Sequence, residues 1–209
     1  MKLIVISPSK KEDAEVPFLI NMFEQGLPTY HIRKTKFSTR ELKDLLLQIP
    51  EKYHRRIVIH SHHDLAMRFN LKGIYNSRSH KKRKYRTWLR IKWFKLIKRN
   101  LQISSTYRSI EGLLDYDSKY DYVFLAPVFD SISGNFQAGY SEKNFHNTLK
   151  HTQYKVIARG GVSTDTLQKA HELGFAGVAF YSSIWKKNNP VQEFMKVKEK
   201  FVELKIPIE

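Results

Sequence analysis

The sequence predicts an eight-stranded parallel β/α barrel. Short, continuously apolar runs alternate with segments of helical periodicity, as expected when parallel strands are covered on both faces. Eight such runs fit into 209 residues, about 25 residues per β/α unit. An open doubly wound sheet would instead require a glycine-rich turn after the first strand, where Ser7-Pro8-Ser9-Lys10 stands. We therefore predict one barrel domain over residues 1–209.

The predicted strands combine β-branched and aromatic residues and are bounded by turn-forming residues. They are Leu3–Ile6, Thr29–Ile32, Arg56–His60, Gly73–Tyr75, Leu101–Ser104, Tyr122–Leu125, Lys155–Ala158 and Gly177–Phe180.

The predicted helices begin at capping residues and end at glycines. Ser38 and Glu41 have capping-box spacing and open an amphipathic run to Ile49. Ser163 opens a helix that stops at Gly174, and Pro190 begins the last helix. Further helices are predicted at 16–24, at 64–70 with Asp64 as the cap, at 87–99, and after Ser109 or Ser141.

Most of the net charge comes from one segment, residues 78–99. The chain has 37 Lys and Arg against 20 Asp and Glu, a net charge of +17, and eleven of these cations and no acid lie in this segment. Such a segment can attract nucleic acid, anionic lipid or acidic metabolites. It can equally be the solvated face of a helix.

The composition indicates a cytoplasmic protein. The chain has no cysteine, which excludes disulfides and thiolate metal sites and fits a reducing compartment. The opening run, Met1–Ser7, is too short for a signal peptide, and no apolar run approaches the roughly 20 residues that span a bilayer.

In a barrel of this kind the functional residues lie where the strands end and in the loops that follow. Polar residues at these places are Arg33 and Lys34, His60–His62, Thr106 and Arg108, Asp130–Gly134, Arg159–Gly161, and Ser182 with Ser183.

The last two groups predict a phosphate site. Gly160-Gly161 after strand seven, beside Ser182-Ser183 after strand eight, would let backbone N–H groups approach an anion closely. The adjoining helix N-terminus would add partial positive charge. The alternative interpretation is a tight strand-to-helix turn without a ligand.

Two other kinds of site are disfavoured. His60, His62 and His63 suggest a metal site, but adjacent strand residues point to opposite faces and no carboxylate pattern joins them. A Schiff-base aldolase would need an inward lysine on a strand end, and Tyr122–Pro127 contains none.

Five segments in chain order carry a resemblance to a known family. They are Tyr30–Arg33, Thr106–Glu111, Asp121–Phe129, Val156–Val162 and Gly177–Ser182. Together they resemble strand-end motifs of the thiamine phosphate synthases and their sister thiazole tautomerases. These motifs include a glutamine-x-arginine strand two, a serine-x-histidine-serine-x-glutamate segment and a double-glycine strand seven. The resemblance covers nearly the whole chain and implies a role in thiamine biosynthesis.

The family synthase joins a pyrimidine methyl diphosphate to a thiazole phosphate, and metal and cationic side chains neutralise the departing diphosphate. The resemblance and the strand-end positions together define the candidate residues. They are His31, Arg33, His60, Thr106 and Arg108 as catalytic residues, Thr35, Ser61, Ser131, Ser133, Gly134 and Arg159 for substrate, and Gly160, Gly161, Ser182 and Ser183 for phosphate.

The chain departs from the family pattern at the expected metal ligands. His60-Ser61 replaces an asparagine-aspartate pair, and the second expected aspartate falls near His80 in a stretch without acids. Gly134 replaces the lysine that would meet the diphosphate. We therefore name no metal ligand, and Mg²⁺ is expected as a cofactor only if synthase activity is retained.

The tautomerase reaction is the alternative, because it needs neither diphosphate nor metal. It moves a proton on a thiazole carboxylate phosphate, and the resemblance places Arg108 at the position of the catalytic histidine. A guanidinium stays charged and is a poor proton carrier. His31 or His60 could replace it, since both are expected at the barrel mouth with a useful pKa. They could also be polar lining without a catalytic role.

Three hypotheses remain. The first is a thiamine-biosynthesis enzyme, either synthase or tautomerase, and the second a barrel that only binds a phosphorylated heterocycle. The third is a nucleic-acid or anion-binding module in which Trp88, Trp93 and Phe94 stack bases. It is disfavoured because the spacing of Trp88 and Ile91 fits packing onto the barrel. We expect a small phosphorylated substrate and no membrane partner, and the sequence leaves homo-oligomer formation open.

Overall fold

The predicted barrel is confirmed. The computed structural model describes residues 1–77, 84–114, 117–130 and 142–209. Eight parallel strands follow one another around the ring, and β8 pairs with β1 to close it. The strands are β1 Lys2–Ile6, β2 Thr29–Ile32, β3 Ile57–Ile59, β4 Gly73–Asn76, β5 Gln102–Tyr107, β6 Tyr122–Leu125, β7 Val156–Arg159 and β8 Gly177–Phe180.

Helices connect these strands. They are α1 Glu15–Glu24, α2 Thr39–Leu47, α3 Asp64–Arg68, α4 Lys84–Ile97, α5 Glu142–His151, α6 Thr164–Glu172, α7 Ser182–Trp185 and α8 Pro190–Glu203, with 3-10 turns at Glu51–Arg56 and Glu111–Leu113. In the part of the chain that the structure describes, no helix has the length and apolar character to cross a membrane.

The capping signals set several helix starts. Ser38 Oγ accepts the Glu41 N–H at 3.2 Å, and the Glu41 carboxylate accepts the Ser38 N–H at 2.7 Å, which completes the predicted capping box. Ser163 caps α6, as predicted. Asp64 is instead the first helical residue of α3 and does not cap it.

The segment after β5 differs from the prediction. A 3-10 turn at Glu111–Leu113 replaces the helix expected after Ser109, and Ser141 lies outside the described residues. Strand β5 extends to Tyr107, so Thr106 belongs to the strand. The run Ser104-Ser105 concealed this extension because it is polar. The Ser105 hydroxyl donates to the Asn76 carbonyl of β4 at 2.9 Å, so the hydroxyl is hydrogen-bonded inside the fold.

The strands are buried on both faces, which explains their continuously apolar sequences. Inward residues fill the barrel and form a compact cluster of Ile4, Ile6, Tyr122, Phe124, Ile157 and Ala179. Outward residues such as Leu3 and Val5 join the larger core between strands and helices. Because the barrel interior is filled with side chains, ligands can enter only at its open end, above the C-terminal ends of the strands.

Candidate active site at the barrel mouth

A cavity of about 170 Å³ opens at the C-terminal ends of β1, β2, β7 and β8. It is lined by Ile6, Arg33, Arg159, Gly160, Gly161, Val162, Ala179, Tyr181 and Ser182. Five of the sequence-predicted site residues therefore meet around one space. This is the place where the two predicted phosphate-binding turns were expected to converge.

The Gly160-Gly161 turn can be formed only by glycine. Both residues have positive φ, +89° and +65°, which L side chains rarely adopt. A Cβ on Gly160 would lie 2.9 Å from Pro127 Cα, and one on Gly161 would lie 2.4 Å from the Phe129 carbonyl oxygen. The Phe129 N–H also donates to the Gly160 carbonyl at 3.1 Å. The turn is thus packed tightly against the chain that leaves β6.

The turn after β8 is joined to the turn after β7. Ser183 Oγ donates to the Val162 carbonyl at 2.8 Å, and its neighbour Ser182 lines the cavity. Helix α7, which starts at Ser182, has only four residues. The helix macrodipole expected at this place is therefore small, and any backbone contribution comes from the N–H groups of the turns.

Arg33 and Arg159 bring two guanidinium groups to the cavity. The Arg159 guanidinium lies 6.0 Å from the centroid of the Phe124 ring. Burial lowers the pKa of Arg159, and a hydrogen bond to the Tyr75 hydroxyl opposes that shift. A guanidinium remains protonated even so. The described lining residues include no carboxylate, so the cavity favours an anion.

Below the mouth, hydrogen bonds join one side chain from β2, one from β6 and one from the residue that directly follows β3. His31 Nδ1 is 3.0 Å from His60 Nε2, and His31 Nε2 is 2.7 Å from the Tyr122 hydroxyl. The His60 ring stacks on Tyr75, with 4.0 Å between centroids. His31 and Tyr122 come from β2 and β6, on opposite sides of the barrel, so the network crosses its interior. We call His60, His31 and Tyr122 the histidine relay.

Burial keeps both imidazoles of the relay neutral. Loss of solvent lowers the pKa of His31 well below its usual value, and the positive charge of Arg159 adds to this. Burial likewise lowers the pKa of His60, helped by His31 and both arginines of the cavity. The expectation that His31 sits at the mouth is wrong, because its side chain is fully buried. His60 keeps 6% of its surface exposed and is the outer member of the relay.

The other predicted residues are dispersed. Thr35 and Arg108 are exposed and do not line the cavity. Ser61 donates to the Lys34 carbonyl at 3.3 Å, and Thr106 accepts the Tyr75 hydroxyl at 2.8 Å. Ser131, Ser133 and Gly134 lie outside the described residues. Their proposed roles stay predictions.

The side chain of Lys34 does not reach the barrel mouth, although its position after β2 predicted that it would. It is fully buried and forms an ion pair with Glu15, whose carboxylate also accepts the Tyr30 hydroxyl at 3.0 Å. Sequence reasoning missed the aromatic members of the site, Tyr75, Tyr122 and Tyr181. Strand alternation is the signal that could have found them. Tyr122 precedes inward Phe124 by two residues, and Tyr181 follows inward Ala179 by two.

The three clustered histidines do not converge. His60 bonds to His31, His62 Nε2 is 2.7 Å from the Phe37 carbonyl oxygen, and His63 Nε2 is 3.1 Å from that of Tyr75. Within residues 1–77, 84–114, 117–130 and 142–209, no group of three His, Asp or Glu could hold a metal. Mg²⁺ prefers carboxylate oxygens, and the described lining of the cavity does not supply them. The described lining residues therefore do not fit the Mg²⁺ site of the resembling synthases.

The comparisons with known proteins agree with this fold. The structure is similar to thiamine phosphate pyrophosphorylase from Bacteroides thetaiotaomicron, with 28% identity, 98% of each chain covered and a TM-score of 0.77. It is also similar in fold to the enzyme of that name from Pyrococcus furiosus, at 20% identity, 97% and 96% coverage and a TM-score of 0.74. A 3-hexulose-6-phosphate synthase from Salmonella typhimurium shares the fold at 15% identity, 97% and 99% coverage and a TM-score of 0.68.

The comparison of sequences gives the family. No curated protein matches the chain. The family model described as thiamine monophosphate synthase matches residues 3–184, which include every residue of the eight strands except Lys2 and every lining residue of the cavity. The chain belongs to the thiamine monophosphate synthase family.

Proposed function

We propose that this chain is a thiamine-biosynthesis enzyme that binds a thiazole phosphate at the barrel mouth and transfers a proton on the thiazole. The observation that carries the substrate class is the cavity between Arg33, Arg159 and the Gly160-Gly161 turn. Two guanidinium groups match the charge of a phosphate monoester, and glycines permit its close approach to the backbone. The absence of cysteine fits action in the cytoplasm.

The histidine relay supports proton transfer as the reaction. A neutral His60 is available as a base because burial lowers its pKa. If its Nε2–H donates to His31 Nδ1, then His31 Nε2–H donates to Tyr122, and His60 Nδ1 carries a lone pair. In the opposite arrangement Tyr122 donates inward along the relay and His60 Nδ1 carries a proton. Only the first arrangement leaves a lone pair on His60 Nδ1 to accept a proton, and the imidazolium that forms can return that proton to the substrate.

A tautomerisation uses both the uptake and the return of this proton. His60 Nδ1 would take a proton from a ring carbon, the double bonds would shift, and a proton would return to another atom of the same molecule. No group leaves and no electron is lost, so the product is an aromatic isomer of the substrate. His60 is the catalytic residue in this proposal, and His31 and Tyr122 are positioning residues that select its tautomer.

Coupling of the thiazole phosphate to a pyrimidine methyl diphosphate is the second candidate. The family match and the 28% identical pyrophosphorylase favour it. Arg33 and Arg159 would neutralise the departing diphosphate, which leaves a pyrimidine cation for the thiazole nitrogen to attack. The described site offers no carboxylate ligands for Mg²⁺, which is why this reaction ranks second.

The test uses the purified full chain with both reactions. We expect metal-free aromatisation of the thiazole tautomer, lost in His60→Phe while thiazole phosphate binding persists. If the protein couples thiazole phosphate to the pyrimidine diphosphate but does not aromatise the tautomer, the proposed proton transfer is wrong and the proposed binding site is retained. Binding without either reaction would indicate a protein that only binds the phosphorylated heterocycle. Failure to bind thiazole phosphate would overturn the site itself.

A further inference from the structure

Helix α4 exposes an unusual number of large apolar side chains. Leu89 is 43% exposed, Trp93 56% and Leu96 79%. Of the ten large apolar residues that are exposed in the described chain, six lie on this 14-residue helix. They are Tyr85, Trp88, Leu89, Trp93, Leu96 and Ile97, and we call this surface the outer face of α4.

Packing onto the barrel does not account for the outer face. The residues of α4 that are buried are Thr87, Ile91 and Phe94, at the spacing of one helix face. With 3.6 residues per turn, Leu89 and Leu96 lie on the opposite side. The helix is therefore apolar on both sides. Packing on the barrel, which the sequence predicts, explains only the side that faces the barrel.

The charged residues of α4 itself are all cationic. No Asp or Glu occurs between Asp64 and Glu111. Some cations of α4 turn inward: Lys95 forms an ion pair with Asp121 at 3.6 Å. Arg86 and Lys92 are exposed, and Lys92 Nζ lies 5.0 Å from the centroid of the Trp88 ring. The outer face therefore combines aliphatic, aromatic and cationic side chains.

We propose that the outer face of α4 binds the surface of a bilayer that contains anionic lipids. The helix would lie in the plane of the membrane, with its leucines among the acyl chains, its tryptophans at headgroup level and its cations against lipid phosphates. This proposal departs from the sequence expectation of no membrane partner, which rested on the lack of a spanning run.

The aliphatic residues distinguish this partner from others. A nucleic acid would engage the cations and rings but leave Leu89, Leu96 and Ile97 in water. A second copy of the chain would cover the leucines but bring like charges together. A bilayer with anionic headgroups takes up all three kinds of side chain.

The experiment measures binding of the full-length protein to sedimented vesicles. One set contains phosphatidylcholine alone and the other phosphatidylcholine with phosphatidylglycerol. We expect binding to the mixed vesicles, a blue shift of tryptophan emission, and little binding to the neutral ones. Binding to neither set, or equal binding to both, would overturn the proposal.

Paired variants separate the two contributions. Leu89→Ser with Leu96→Ser should weaken vesicle binding by about tenfold or more, because apolar area is lost from the membrane. Leu47→Ser with Val202→Ser is the matched control, since these residues are 63% and 75% exposed on α2 and α8. Arg86→Gln with Lys92→Gln should weaken binding to anionic vesicles by about 30-fold, at about 1 kcal/mol per cation. Unchanged binding in both test variants would contradict the proposal.

Two further results would also overturn it. One is salt-sensitive binding to single-stranded DNA with no vesicle binding, which would identify a nucleic-acid partner. The other is a concentration-dependent dimer that Leu96→Ser dissociates in the absence of lipid. Every variant retains the barrel mouth, and an unchanged far-ultraviolet circular dichroism spectrum would show that the fold is intact.

Discussion

His31 and His60 share a hydrogen bond of 3.0 Å between Nδ1 and Nε2, inside the barrel and out of bulk water. A neutral imidazole carries one N–H, so this bond has one donor and one acceptor. The tautomer of His31 therefore fixes that of His60, and Tyr122 on the far side of the barrel takes part in that choice. A proton gained or lost at His60 therefore changes which atoms donate and accept in both hydrogen bonds of the relay.

Removing His31 should impair catalysis more than binding. In His31→Phe the tautomer of His60 is no longer selected, so we expect kcat for aromatisation to fall about 100-fold or more. KM should change little, because the cavity residues remain in place. Tyr122→Phe keeps His31 and removes only one hydroxyl, so its loss should be smaller, about tenfold. Steady-state kinetics of both variants provide the measurement. An equal rise of KM in His31→Phe would instead indicate a structural role.

Stability should fall on mild acidification. Burial lowers the pKa of His31 and His60, so the unfolded chain takes up protons at a pH where the folded chain does not. The free energy of unfolding should begin to decrease as pH falls through about 6.5, by up to about 1.4 kcal/mol per pH unit for each histidine. Above that pH the free energy of unfolding keeps its full value. Urea titrations between about pH 7.5 and about pH 5.5 measure the slope.

His31→Phe provides the comparison for that pH dependence. One buried histidine is removed, so the slope of unfolding free energy against pH should become shallower. A wild-type stability that stays constant or increases on acidification would contradict burial of neutral imidazoles in the relay.

Alanine at Gly161 should cost far more than alanine at Gly174. Both glycines have positive φ, but a Cβ on Gly174 meets nothing within 4 Å, whereas one on Gly161 meets the Phe129 carbonyl. We expect Gly174→Ala to lower the free energy of unfolding by about 1 kcal/mol, and Gly161→Ala by about 3 kcal/mol or more. Denaturant unfolding measures both. Equal costs would show that the turn after β7 is less tightly packed than described.

The two arginines of the cavity should carry phosphate binding. Arg159→Gln and Arg33→Gln should each weaken binding of thiazole phosphate by about tenfold or more, because a charge-assisted hydrogen bond is lost. Arg40→Gln on α2 is the matched control, since its side chain is 93% exposed and is not among the lining residues. Isothermal titration calorimetry measures the three affinities. If both cavity variants keep their affinity for thiazole phosphate, the phosphate binds somewhere other than this cavity.

Local sequence was sufficient for the barrel and for part of its mouth. The alternation of apolar runs and helical segments gave all eight strands, since each strand is buried on both faces. The Ser38 and Ser163 caps and the Gly160-Gly161 turn were also predictable, because a helix start or a positive φ depends on a few neighbouring residues. These features follow from short-range sterics and hydrogen bonds.

The tertiary structure decided which polar side chains meet. His31 and Tyr122 are 91 positions apart and touch only because the ring closes with a particular stagger between strands. Lys34 follows Arg33 directly, yet it turns to Glu15 while Arg33 faces the cavity. Side-chain periodicity is a local property, whereas distances across a barrel depend on all eight strands at once. The sequence alone therefore located the mouth, and barrel closure assembled the relay beneath it.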